Sequence, residues 1–258
     1  MALPRWLPIA LLGCLSATTA VAQIAFTTIP ATPVAGEAFI VREHITSGME
    51  ESLLNGSVAI TGNRVDLTMR TLVTDFNETE SEPHDITFAV TVPAAGAFTF
   101  YQSAMTTYDE VSFNTNGPQA IGVVNVAAAL PGAIPASAAL SGLYYDPAAP
   151  GSGVTIEQGV SGQVFATIYT QGLVSGSNQL EPVWHVMSSG KWISPTRFRG
   201  VLSKTRGTSA KAAFQPASLV MAPVAVLTLD FSIANGVTLS VEGATLPITA
   251  STLTKFRF

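Results

Sequence analysis

Charge is scarce in this chain and cysteine almost absent: 11% of the 258 residues are charged, and Cys14 is the single cysteine. Scarce and scattered basic residues exclude the lysine- and arginine-rich patch that nucleic acid needs. A lone cysteine at position 14 leaves the rest of the chain without disulfides or thiol chemistry, so its core must hold by packing. Long amphipathic helical periods are missing too. The three histidines, His44, His84 and His185, form no H-x-x-x-H pair, which argues against a zinc site. No metal and no cofactor is expected, and no catalytic residue is assigned.

Hydrophobic residues, by contrast, make up 47% of the chain, enough for a sizeable core. Met1 to Arg5 is a short basic segment, Trp6 to Leu15 an apolar run, and Ala20-Val21-Ala22 a small-x-small cleavage site. Together they read as an export signal over 1–22, too short to span a bilayer as a mature segment. "LLGC" at 11–14 resembles a bacterial lipobox, the alternative in which Cys14 is lipidated. The expected location is therefore secreted or periplasmic, with no transmembrane span in the mature chain.

Charge is also divided unevenly. Residues 23–130 carry three arginines against twelve carboxylates, and residues 131–258 carry eight lysines and arginines against five carboxylates. Such a contrast supports two domains. Short alternating runs punctuated by Gly, Pro, Asn and Ser recur throughout, the pattern of an all-β protein. In 57–73, Gly62-Asn63 predicts a hairpin turn, followed by Val65, Leu67 and Met69 alternating with polar residues. Ile86, Phe88 and Val90, then a Pro-Ala-Ala-Gly corner, then Phe98 and Phe100 repeat the arrangement. "VAAALPGAIPASAAL" (126–140) reads as a Pro/Ala linker, with room for a short helix at 126–130. Eight further strands are expected at about 142–146, 153–158, 163–170, 182–188, 191–204, 223–232, 236–242 and 245–258. Their short turns favour an up-and-down sheet that closes.

Two resemblances extend this reading. "TTIPATPVAGEAFIV" (27–41) and the "VPAAGAFTFYQ" corner resemble bacterial immunoglobulin-like domains, implying a sandwich of about seven strands. "GLYYDPAAPGSGVTIEQ", "QVFATIYT", "EPVWHV", "FRGVLSKTRG", "VAVLTLDFSIANGVTLSVEG" and "ITASTLTKFRF" follow the order of a recurrent module of secreted proteobacterial proteins. Its pattern is G-x-W-[WY]-[ND]-P, then G-x-G, then P-x-W. Tyr144, Asp146 and His185 depart from the usual residues, and no activity comes with the resemblance. The fold class is thus all-β: an immunoglobulin-like sandwich (23–126), a linker (127–140), and a small antiparallel up-and-down β-barrel or strongly curled sheet (141–258).

Candidate sites follow from these elements. "GLYYDPAAPGSG" (142–153) lacks the lysine and helix of a phosphate loop and the Gly-x-Ser-x-Gly spacing of a nucleophile elbow. Its prolines, glycines and Asp146 make a turn instead, and Tyr144 and Tyr145 must point to opposite faces. The aromatic set of Tyr144, Tyr145, Tyr169, Trp184 and Trp192 would line an interior or a mouth, or serve as core filler. From it, Tyr145, Tyr169, Trp184, His185 and Trp192 are the candidate ligand-binding residues. Asp75, Glu78, Glu80, Glu82 and Asp85 form a calcium candidate or a solvated hairpin tip. The terminal Phe256 and Phe258 suit a soluble barrel closing its sheet better than a membrane barrel, given the short strands and the charge of "FRGVLSKTRG".

The leading expectation is an exported non-enzymatic binding or envelope-interaction protein, with a glycan or envelope component as partner. Two alternatives stay open. One is a hydrolase or lyase at the barrel mouth, using His185 with Glu157 or Asp146. The other is a structural spacer in a surface assembly.

Overall fold

A computed structural model describes residues 25–47, 51–73, 82–108, 111–129, 139–148, 151–173, 180–208, 211, 213, 215, 219–243 and 251–256. The expected signal at 1–22 with Cys14, most of the linker, and Asp75, Glu78 and Glu80 lie outside those residues. All regular elements among the described residues are strands. Among the described residues, no helix is long and apolar enough to cross a membrane.

Seven strands build the first half: β1 (Phe26–Ile29), β2 (Phe39–Ser47), β3 (Glu51–Thr61), β4 (Arg64–Val73), β5 (Glu82–Val90), β6 (Gly96–Tyr108) and β7 (Val111–Val126). They form two sheets, ordered β1-β2-β5 and β3-β4-β6-β7. Gly62 takes φ +58° between β3 and β4, as the two-residue hairpin requires. Alternation then decides burial: Val65, Leu67 and Met69 on β4, Ile86, Phe88 and Val90 on β5, and Phe98 and Phe100 on β6 fill one shared core. One pairing departs from the two antiparallel sheets that the immunoglobulin-like resemblance implies: β4 and β6 run parallel. The chain between them passes through β5 in the opposite sheet, a crossover of the kind a parallel pair needs. Val126 ends β7 and Ala127 bridges Val34, so extended pairing stands where the sequence left room for a short helix.

The second half contains β8 (Gly142–Tyr145), β9 (Gly153–Gln158), β10 (Val164–Leu173), β11 (Leu180–Met187), β12 (Lys191–Trp192), β13 (Arg197–Arg206), β14 (Val220–Asp230), β15 (Gly236–Glu242) and β16 (Ser251–Lys255). They make one curled nine-stranded antiparallel sheet, β11-β10-β9-β8-β16-β15-β14-β13-β12. An additional pairing of β11 with β13, at His185↔Lys204 and Val186↔Ser203, closes eight of the strands into a ring. Val154, Ile156, Ala166, Ile168, Met187, Phe198, Leu202, Leu227, Val237 and Leu239 fill its interior.

The halves touch along β2. Phe39 and Val41 enter the sandwich core, while Ile40 packs with Val201 and Val226 of the barrel. Burial on both faces explains the unbroken apolar run "FIV". Polar contacts frame this patch: Thr87 Oγ1 donates to the Pro223 carbonyl at 2.6 Å, and Arg42 Nη2 donates to the Gly243 carbonyl. Arg199 lies 3.8 Å from Glu37 and 2.7 Å from Glu242. The acidic half therefore meets the basic half within the chain.

Candidate binding face on the barrel

Alternation along β8 to β11 sorts the candidate side chains onto two faces. Tyr144 turns inward, 2% exposed, and its hydroxyl donates to the Leu140 carbonyl at 2.7 Å. Burial pushes that phenol above its ordinary range. Tyr145 turns outward and meets Phe256 edge-on, with ring centroids 5.7 Å apart. Register then extends one outer row across the strands: Tyr145 opposes Gly153, Gly153 opposes Tyr169, and Tyr169 opposes Trp184. Directly opposed residues share a face, so these three aromatics share the outside of the barrel rather than its interior.

Gly153 makes the row continuous. A Cβ there would stand 2.5 Å from the Tyr169 hydroxyl and 2.7 Å from the Tyr144 carbonyl oxygen, so the Tyr169 ring covers the glycine. Partial burial raises the Tyr169 phenol above its ordinary range. Trp184 is left 61% exposed at the end of the row.

Trp192 and His185 do not join this row. Trp192 is buried, packs against Phe198 and Phe231 at 5.3 and 6.0 Å, and donates its Nε1 hydrogen to the Gly162 carbonyl at 2.6 Å. It thereby ties β12 to the Gly159–Gly162 turn between β9 and β10. His185 points inward from β11, opposite Ile168, with Nδ1 buried and unpartnered. Burial, then the neighbouring Lys204 charge, hold its pKa below the ordinary histidine range, so the imidazole is neutral at pH 7.

Among the described residues, no acid–base pair is assembled around His185. Glu157 is exposed on the outer face near the other end of β9, opposite Phe165. Asp146 uses Oδ1 to accept the Ala148 N–H at 2.8 Å, the turn-capping bond its position favours. Of the calcium candidates, Glu82 opens β5, and the Asp85 carboxylate lies 2.5 Å from His44 Nδ1 and 3.7 Å from Arg42 Nε. Among the described residues, no group of three or more His, Cys, Asp or Glu converges as a metal site would.

The ring has a gap beside Trp184. β11 pairs with β10 along its whole length, but with β13 only at His185 and Val186. Past that point the strands diverge and leave a notch of about 380 Å³, lined by Glu181, Pro182, Val183, Trp184, Lys204 and Thr205. Sequence reasoning missed Glu181, Lys204 and Thr205. The available signal was Pro182, because a proline within a strand marks an edge whose N–H side is unpaired.

No family model, no curated protein and no solved structure matches the chain.

Proposed function

We propose that this is an exported, non-enzymatic binding protein that holds a component of the cell envelope on the outer aromatic face of its barrel. The observation that carries the reading is Trp184. In a barrel that buries Tyr144, Trp192 and Phe198, this indole stands exposed in register with Tyr169 and beside a notch. Flat, amphipathic rings at low conformational cost are what binding surfaces use as anchors. The separation of His185 from Glu157 favours binding over hydrolysis.

Co-sedimentation of the purified protein with washed cell-envelope preparations tests this reading. Wild type should sediment, and Trp184→Ala and Tyr169→Ala should each weaken it several-fold. Equal sedimentation of all three proteins would remove the aromatic face from the function.

A further inference from the structure

The notch between β11 and β13 is chemically more specific than the row it adjoins. We infer that it is a subsite for one or two uncharged sugar rings, stacked on Trp184 and hydrogen-bonded by Glu181, Lys204 and Thr205. This inference rests on the outer face being the binding surface.

Three observations converge on that ligand class. First, among the described residues the lining of the notch has one cation and one anion, Lys204 and Glu181, and neither forms a salt bridge with another described residue. A ligand of net charge would gain from one and be repelled by the other. A polyhydroxylated neutral ligand uses both, because the carboxylate accepts from its hydroxyls and the ammonium donates to them. The Thr205 hydroxyl does either.

Second, the wall is half apolar in the way a sugar ring is. Trp184 offers a flat, exposed indole face, and Pro182, two residues before it, lies on the same side of β11. The C–H face of a pyranose covers such a surface while its hydroxyls point to the polar rim. An acyl chain would instead desolvate Glu181 and Lys204 without partners, which costs free energy.

Third, the notch suits a compact group rather than an added strand. The edge of β11 that stays unpaired among the described residues includes Pro182, which has no N–H to offer, and a proline at an edge is a device against strand addition. A volume of about 380 Å³ lies at the small end of the ~300–1,000 Å³ range of small-molecule sites.

Affinity electrophoresis of the full chain tests the inference, with gels containing a neutral polysaccharide (hydroxyethylcellulose or dextran) or an acidic one (polygalacturonate). The expected result is retardation by a neutral polymer, weakened about tenfold by Trp184→Ala and several-fold each by Glu181→Gln and Lys204→Met. Urea midpoints close to wild type would exclude unfolding of these surface variants. Retardation by polygalacturonate alone, abolished by Lys204→Met, would overturn the neutral-sugar assignment and keep the aromatic face. Envelope sedimentation that depends on Trp184 without retardation in any gel would also overturn the sugar class alone. Retardation unaffected by Trp184→Ala would overturn the subsite, and unaffected envelope sedimentation would overturn the face itself.

Discussion

Tyr169 stands opposite Trp184 across β10 and β11, yet its ring turns the other way and covers Gly153 on β9. An aromatic side chain thus fills the space that a missing Cβ leaves in a neighbouring strand. Backbone conformation is no obstacle to a larger residue at 153, since its φ is not in the left-handed region. Gly153→Ala should therefore cost about 1–3 kcal/mol by displacing the ring and crowding the Tyr144 carbonyl. In a Tyr169→Ala background the same substitution should cost less, with the residue of the penalty coming from the Tyr144 backbone. Urea titrations of the four proteins give that coupling, and strict additivity would show that the two residues do not interact.

Trp184 and Trp192 differ in role although both lie in the barrel. Trp192→Ala empties a packed site against Phe198 and Phe231 and leaves the Gly162 carbonyl without its donor. Its expected cost is about 3–5 kcal/mol. Trp184→Ala removes a mostly exposed ring and should stay within about 1 kcal/mol. Denaturant midpoints separate the two, and a large loss for Trp184→Ala would mean that this ring supports the fold.

Much of this fold is written in local alternation. Val65, Leu67 and Met69, or Val237 and Leu239, announce their inward face by period two, and Gly62-Asn63 announces its hairpin. The parallel β4–β6 pair has no such mark, because it joins segments separated by a strand of the other sheet. The same limit applies to the candidate site. Trp184 and His185 are neighbours, so one must point out and the other in. Which one does so depends on the closure of β11 on β13, a pairing between residues about twenty apart in sequence. The notch depends on where that pairing stops, and only Pro182 hinted at it.

Arg199 is held between two carboxylates of different halves, Glu37 and Glu242. Burial raises the Glu37 pKa above its ordinary range, and Arg199 and then Lys191 pull it partly back. Arg199→Met leaves Glu37 buried with a weaker set of counter-charges and should destabilise the protein by about 3 kcal/mol. Glu37→Gln should be close to neutral at pH 7, because it gives up an ion pair and a desolvation penalty together. Adding Glu37→Gln to Arg199→Met should recover part of the loss. Urea midpoints at pH 7 measure all three, and no recovery in the double variant would mean that Arg199 acts through Glu242 alone.

Glu43 sets the pH dependence with the clearest sign. On β2 it follows Phe39 and Val41 into the sandwich core, between Phe26 and Ile86 in register, 0% exposed and with both carboxylate oxygens unpartnered. Burial pushes its pKa from 4.5 to about 7. Below pH 4.5 the folded and unfolded chains both hold this proton, and it has no effect on stability. Between pH 4.5 and 7 the unfolded chain releases the proton while the folded one keeps it, so stability falls as pH rises. Above pH 7 the loss levels off, at up to about 3 kcal/mol for a shift of that size. Glu43→Gln cannot ionise and should escape this loss. The stability difference between the variant and wild type should therefore widen from pH 4.5 to pH 7 and then hold constant. Urea midpoints at half-unit steps from pH 4 to 8.5 read that difference directly. A gap that stays flat across the range would mean that the Glu43 carboxyl ionises alike in the folded and unfolded chains.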